Sequence, residues 1–329
     1  MVMAAPPGSG RFCRSDFSPT TAPAIGNRVG LKSDLQSGLQ KALAGIGLLL
    51  TLVPAHAAVS VTDDLGRQVA LAQPAQRIVS LAPHLTEDLF AIGAGGQLVG
   101  VVDYSDFPAA AKQLPRIGGY SGFDLERIRA LKPDLIVGWP SGNPSRQLQQ
   151  LESLGIPLFY DDTRRLDRLP GVLQRLGVLT GKTATADKVA QDFRDRLAAL
   201  RQRYAGKPAV RVFYQVWDRP LMTINREQII SDAIQLCGGV NVFGQLPALV
   251  PTVDEEAVLQ ANPQLIATSG ESGMASGSLE RWRRWPALEA NRRQALVNLP
   301  PDLLSRIGPR LIDGAERLCQ AIDRARQPR

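Results

Sequence analysis

The sequence predicts an α/β protein of two lobes, each with a mainly parallel sheet, joined by one long α-helix. Three observations predict it. Short apolar runs of four or five residues alternate with stretches of helical periodicity, the pattern of parallel strands covered by helices on both faces. The alternation stops once, near mid-chain, in a long segment with no strand candidate. And one helix-to-strand unit occurs twice. "DLERIRALKPDLIV" (124–137) superposes on "DEEAVLQANPQLIA" (254–267) after a shift of 130 positions, so that Asp124/Asp254, Glu126/Glu256, Pro133/Pro263, Leu135/Leu265 and Ile136/Ile266 coincide. A length of 329 residues suits two domains at roughly 100–200 residues each.

Each element has a local reason. "AVSVTDDLGRQVALAQP" alternates apolar and polar residues around Asp64-Leu65-Gly66-Arg67, which predicts a β-hairpin. "RIVSLAP" is a short apolar strand, and an apolar-periodic helix runs from Thr86-Glu87 towards Gly93. "LVGVV" is a strand, 124–132 a helix, "DLIVGW" a strand, "PSRQLQQLESLG" a helix closed by Gly155, and "IPLFY" a strand. From Leu166 to Tyr204 the pattern changes. Ala186, Val189, Ala190, Phe193, Leu197, Leu200 and Tyr204 fall three or four residues apart, predicting one amphipathic helix that Gly206-Lys207-Pro208 stops. At about 1.5 Å per residue its roughly 20 residues span some 30 Å. Alternation then resumes with "VRVFYQV" (strand), "REQIISDAIQLCGG" (helix), 254–262 (helix), "QLIATS" (strand) and "PRLIDGAERLCQAID" (helix). The expected division is a Rossmann-like lobe at 58–165, a helical linker at 166–206 and a second Rossmann-like lobe at 207–329. Two lobes joined by a continuous helix predict a largely pre-formed cleft for a ligand, because a helix permits less motion than extended strands.

Residues 1–57 read as a leader. Lys41 is followed by "ALAGIGLLLTLVP" and then by "AHA", which predicts a secretory signal peptide cut after Ala57. The apolar run is shorter than the ~20 residues a membrane span needs. The part before about Val29 is Pro/Ser/Gly-rich and unlike a signal n-region, so the true translation start is open. No lipid-attachment cysteine follows the apolar run, and the exported chain is expected to be soluble, periplasmic and monomeric. Removing the leader lowers the net charge from +7 to +4. That modest excess, with no Lys/Arg cluster interleaved with aromatics, does not indicate nucleic acid. Two cysteines remain, Cys237 and Cys319. An even count in an exported chain predicts one disulfide.

After residue 57 the chain has one histidine, His84, which excludes a multi-histidine metal site; no resident metal is expected. It has no G-x-S-x-G, Walker A or H-E-x-x-H motif, and "GAGGQLVG" follows a helix rather than opening one, the wrong context for a dinucleotide loop. No nucleophile–base pair can be assembled, so no enzyme activity and no catalytic residue is expected.

The segments "VTDDLGRQVALAQPAQRIVSLAP", "LVGVVDYSDFP", "LPRIGGYSGFDLERIRALKPDLIVGW" and "LCGGVNVF" resemble the periplasmic substrate-binding proteins of ABC importers of the helical-backbone class, which take up ferric siderophores, haem and cobalamin. The resemblance runs from about Val59 to the C-terminus. "YSDFP", "WPSGNPSRQ" and "LCGGVNVF" make it closest to the cobalamin-binding members. It implies capture of cobalamin, as transported ligand rather than cofactor, between the lobes. A haem or ferric-siderophore receptor is the alternative within the class. A two-lobed oxidoreductase subunit is the alternative outside it, and would need cluster cysteines that two residues do not supply.

The resemblance implies that Tyr104, Tyr120 and Trp139 line the ligand side of the first lobe, since rigid aromatic rings cover a flat macrocycle at little entropic expense. Met222 falls where an aromatic is common in the class, and Trp217 lies close enough to compensate; Val250 stands where a Trp is expected. Asp302 and Arg306 match polar residues that contact macrocycle side groups. His84 has two open roles, ligation of the metal of a bound macrocycle or a structural loop histidine. Glu126 and Glu256 each sit two residues after a candidate N-cap Asp, where the helix dipole alone favours a carboxylate. The resemblance adds a second role for them, docking on the inner-membrane permease dimer of an ABC transporter, one carboxylate per subunit.

Overall fold

A computed structural model of the protein describes residues 58–119, 122–270 and 274–327, with the side chains of 274–278 left aside. The leader lies outside these residues, as does Tyr120. Strands β1 (Val59–Thr62) and β2 (Gln68–Leu71) form the antiparallel hairpin expected at the start, and Asp63 accepts the backbone N–H groups of Leu65 and Arg67 across the turn. Four short strands then build the first sheet: β3 (Ile78–Ser80), β4 (Leu98–Val101), β7 (Leu135–Gly138) and β8 (Leu158–Tyr160). Between them, β5 (Gly118–Gly119) and β6 (Gly122–Phe123) make a small antiparallel ribbon. The second sheet consists of β9 (Val210–Gln215), β10 (Gly239–Asn241), β11 (Leu265–Ser269) and β12 (Leu296–Leu299).

The spatial orders are β4-β3-β7-β8 and β10-β9-β11-β12, with every pair parallel. In order of appearance both sheets therefore read second-first-third-fourth. The repeated unit occupies the same place in each. Helix α2 (Leu125–Ala130) leads into β7 and helix α7 (Glu255–Ala261) leads into β11, each the third strand of its sheet.

Two helices fill the mid-chain segment. Helix α4 (Leu169–Thr180) ends at Gly181, whose φ of +68° suits a residue without Cβ. Helix α5 (Thr183–Tyr204) then runs 22 residues. The pair pack so closely at Gly177 that a Cβ there would meet the Ala186 Cβ at 2.4 Å. Val172, Leu173, Leu176 and Leu179 of α4 join the core of the first sheet, whereas Leu169 at its start packs in that of the second. The buried residues of α5 divide: Ala186 and Ala190 belong to the core of the first sheet, whereas Phe193, Leu197, Leu200 and Tyr204 belong to the core of the second sheet. So α5 is the long helix the periodicity predicts, and α4 is a further helix before it, packed mainly on the first core.

The other helices are α1 (Pro83–Ala91), α3 (Ser145–Glu152), α6 (Ile229–Leu236), α8 (Met274–Arg283), α9 (Glu289–Arg292), α10 (Pro301–Leu304) and α11 (Leu311–Arg326). The predicted disulfide is present. Cys237, just after α6, bonds Cys319 of α11 with the Cα atoms 4.7 Å apart, and both residues are fully buried. No helix among the described residues is long and apolar enough to cross a membrane.

Candidate functional site

In an open parallel sheet, ligands bind beyond the carboxyl ends of the strands, where the strand order reverses. That point lies between β3 and β7 in one sheet and between β9 and β11 in the other. Most of the predicted site residues follow these strands or their neighbours. His84 comes just after β3, Tyr104 after β4, Trp139 directly after β7, and Trp217 and Met222 after β9.

Trp139 is half-buried and packs on the cores of both sheets. Its backbone N–H donates to Asn143 Oδ1 at 2.8 Å, and Asn143 in turn donates to the Leu81 carbonyl. This turn fixes the indole over Gly142. The His84 ring stands edge-on to the indole, with centroids 5.1 Å apart and planes at 89°. His84 is buried, and its Nε2 lies 3.8 Å from Asp161 Oδ2. Burial, then the nearby Arg306 charge, lowers its pKa to about 3 and keeps the imidazole neutral. Asp161 is pushed up to about 7, chiefly by burial; hydrogen bonding to Thr163 opposes the rise and Asp64 adds to it. Asp88, one turn along α1 from His84, is likewise held well above the usual carboxylate range by burial and by the charges of Asp161 and Glu87.

Tyr104 sits at a loop tip with φ +63°, a conformation rare for a residue with a side chain, and is 68% exposed. The loop is held from below. Arg116 donates to the Val102 and Ser105 carbonyls, both at 2.9 Å, and Thr86 Oγ1 donates to Ser105 Oγ. An exposed ring on a tethered, unfavourable backbone is the arrangement expected where contact with a partner matters. Trp217 is also more than half exposed, its Nε1–H donating to the Arg219 carbonyl at 3.0 Å. It pairs through the backbone with half-buried Met222, which bridges on to Thr252. Among the described residues Trp217 makes no ring pair with Trp139.

Arg306 and Asp302 are joined at 3.1 Å, but the shorter bonds of Arg306 go elsewhere. Its Nη1 donates to Glu87 Oε1 at 2.8 Å and to Asp106 Oδ1 at 2.6 Å, both on the first lobe. Arg310 adds two bonds to Glu87, at 2.8 and 2.7 Å, and its guanidinium lies 3.7 Å from the centre of the Phe107 ring. Glu87, Asp106, Phe107 and Arg310 were not among the residues expected from sequence. "YSDFP" contains two of them, and that segment was the available signal.

Glu126 and Glu256 hold corresponding places in the topology of the two sheets. Asp124 caps α2 by accepting from Arg127 N at 2.9 Å, and Asp254 caps α7 by accepting from Ala257 N at 2.6 Å. Each glutamate occupies the second helical position, is exposed, and has no ion-pair partner among the described residues. Both helices start on the carboxyl side of their sheet, because a helix linking parallel strands runs back against them.

Comparison with known proteins agrees with this geometry. Residues 78–303 match the family model described as periplasmic binding protein. A vitamin B12-binding protein of Vibrio cholerae serotype O1 is 40% identical over 247 residues, covering 75% of this chain and 88% of that protein. One from Yersinia pestis is 38% identical over 249 residues, covering 76% and 87%. The crystal structure of the periplasmic vitamin B12 binding protein BtuF of Vibrio cholerae superposes with a TM-score of 0.73 at 39% identity, covering 77% of this chain and 99% of that one. A periplasmic heme binding protein from Pseudomonas aeruginosa has a TM-score of 0.67 at 28% identity, covering 75% and 92%. Matched over two sheets of one topology and the helix between them, the chain belongs to the periplasmic binding protein family.

Proposed function

We infer that this protein captures cobalamin between its two lobes and delivers it to the permease of an ABC transporter. The observation that carries the reading is the 40% identity, over most of both chains, to a protein named for binding vitamin B12. The aromatic set supports it. Tyr104 and Trp217 are exposed, Trp139 is held between the cores, and all three follow strands whose carboxyl ends form the expected ligand side. Such rings suit the broad face of a corrin. The protein acts without catalysis, in the periplasm, and residues 1–57 supply the export signal. Glu126 and Glu256 dock on the two permease subunits.

Tryptophan-fluorescence titration of the purified protein tests the ligand, with cyanocobalamin run beside haemin and a ferric siderophore and corrected for ligand absorbance. Saturable one-to-one quenching by cyanocobalamin alone is expected. Saturation by haemin, with no response to cyanocobalamin, would move the ligand to haem and overturn the corrinoid reading.

A further inference from the structure

Helix α1 faces the other lobe with one carboxylate. Glu87 has a side chain only 2% exposed, yet among the described residues no side-chain hydrogen bond links it to its own lobe. Its partners lie 219 and 223 positions away. Arg310 grips it with two parallel bonds and Arg306 with a third. Arg306 also reaches Asp106, at the edge of the loop that presents Tyr104. The backbone between the two arginines comes close enough to explain this. At Gly308 a Cβ would lie 3.3 Å from Asp88 Oδ1, 3.6 Å from the His84 carbonyl and 3.7 Å from Glu87 Cβ, so the 306–310 segment rests directly on α1. The two sides belong to different cores: Leu85 and Leu89 of α1 pack in one, Ile307 and Leu311 in the other.

We propose that Glu87 is a positioning residue of the ligand cleft: it clasps Arg306 and Arg310 of the opposite lobe, setting the lobe separation and aiming Arg306 towards the bound molecule. A carboxylate hidden from water and shared by two guanidiniums is a strong, geometry-specific contact. Without it, two neighbouring guanidiniums of one lobe lose their buried counter-charge at the joint, which favours opening of the lobes to water. Arg306 then keeps only Asp106 and Asp302, both at the rim and both about half exposed. The clasp also sets how fast a ligand leaves, because widening the joint weakens the contacts of both lobes at once.

The effect on binding rests on the corrinoid reading; the effect on lobe separation does not. Spin labels at Ala130→Cys on α2 and Gln260→Cys on α7, both exposed, report the distance between lobes in the purified full chain with Cys13→Ser. Glu87→Gln and the double variant Arg306→Gln/Arg310→Gln are expected to lengthen and broaden that distance, and Glu87→Asp to restore much of it. Cyanocobalamin is expected to dissociate about tenfold faster from Glu87→Gln, since contact losses act mainly on the off-rate. An unchanged distance distribution in Glu87→Gln, or in the arginine double variant should Glu87→Gln not fold, would overturn the proposal. Absence of cyanocobalamin binding in the parent protein would instead overturn the ligand reading, and the distance measurement would still decide the clasp.

Discussion

The imidazole of His84 stands perpendicular to the indole of Trp139, edge to face, and this pair joins the first turn of α1 to the end of β7. A neutral ring is the right partner, since burial and Arg306 hold the His84 pKa near 3. Edge-to-face pairs contribute about 0.5–1.5 kcal/mol beyond the area they bury. Trp139→Ala is expected to weaken cyanocobalamin binding at least about tenfold, near 1.4 kcal/mol. His84→Ala, which only loosens the indole, should cost about two- to tenfold. Equal affinity of Trp139→Ala and the parent protein would make Trp139 a core residue only.

The buried pair His84 and Asp161 predicts opposed pH dependences. Between pH 3 and 6.5 folded His84 binds fewer protons than in the unfolded chain, so its contribution to stability rises with pH. Between pH 3.8 and about 7 folded Asp161 binds more protons than in the unfolded chain, so its contribution is present at low pH and lost as pH rises. Where the windows overlap the slopes offset one another. Urea unfolding from pH 4 to 7 should therefore show, relative to the parent, a more positive slope for Asp161→Asn and a more negative one for His84→Phe. Each change approaches about 1.4 kcal/mol per pH unit at most. Parallel profiles for all three proteins would remove both groups from the account.

The bond between Cys237 and Cys319 closes a loop with a sequence separation of 82 and ties α6 to the C-terminal helix inside the core. A loop of that size should stabilise the fold by on the order of 4 kcal/mol. The expected loss in the Cys237→Ala/Cys319→Ala variant is of that order, read by urea unfolding. The unreduced, denatured protein lacking the leader should contain no titratable thiol; two thiols would refute the bridge.

Charge reversal at Glu126 and Glu256 separates capture from delivery. The Glu126→Lys/Glu256→Lys variant should keep the parent affinity for cyanocobalamin, since both side chains are exposed and unpaired among the described residues. Uptake in cells should fall, with each single variant retaining more transport than the double. Lost affinity would place these residues in the cleft.

The first lobe was largely legible because its strands are apolar runs set between Gly, Pro and Asp residues. In the second lobe β10 and β12 escaped notice. "GVN" is three residues long, and "LVNL" carries an exposed Asn298, so neither makes a run. The repeat at 124 and 254 did predict structural equivalence, because capping is local. In the candidate site, the placement of a side chain was legible where it follows its own strand, as with Trp139. It was not where a contact spans the chain. Arg306 pairs with Asp302 four residues away, a relation that spacing suggests, but its stronger bonds to Glu87 and Asp106 arise only once the lobes meet.

The way α5 is shared has a consequence for folding. Ala186 and Ala190 complete one core, and Phe193, Leu197, Leu200 and Tyr204 complete the other, all on one uninterrupted helix. Neither half of the chain holds a finished interior without it. Melting the helix as a whole opens both interiors to water, so the two lobes should be lost in one cooperative transition rather than one after the other. A chain divided within α5 should yield fragments that fold only on meeting, which makes this helix a keystone of the fold as well as its spacer.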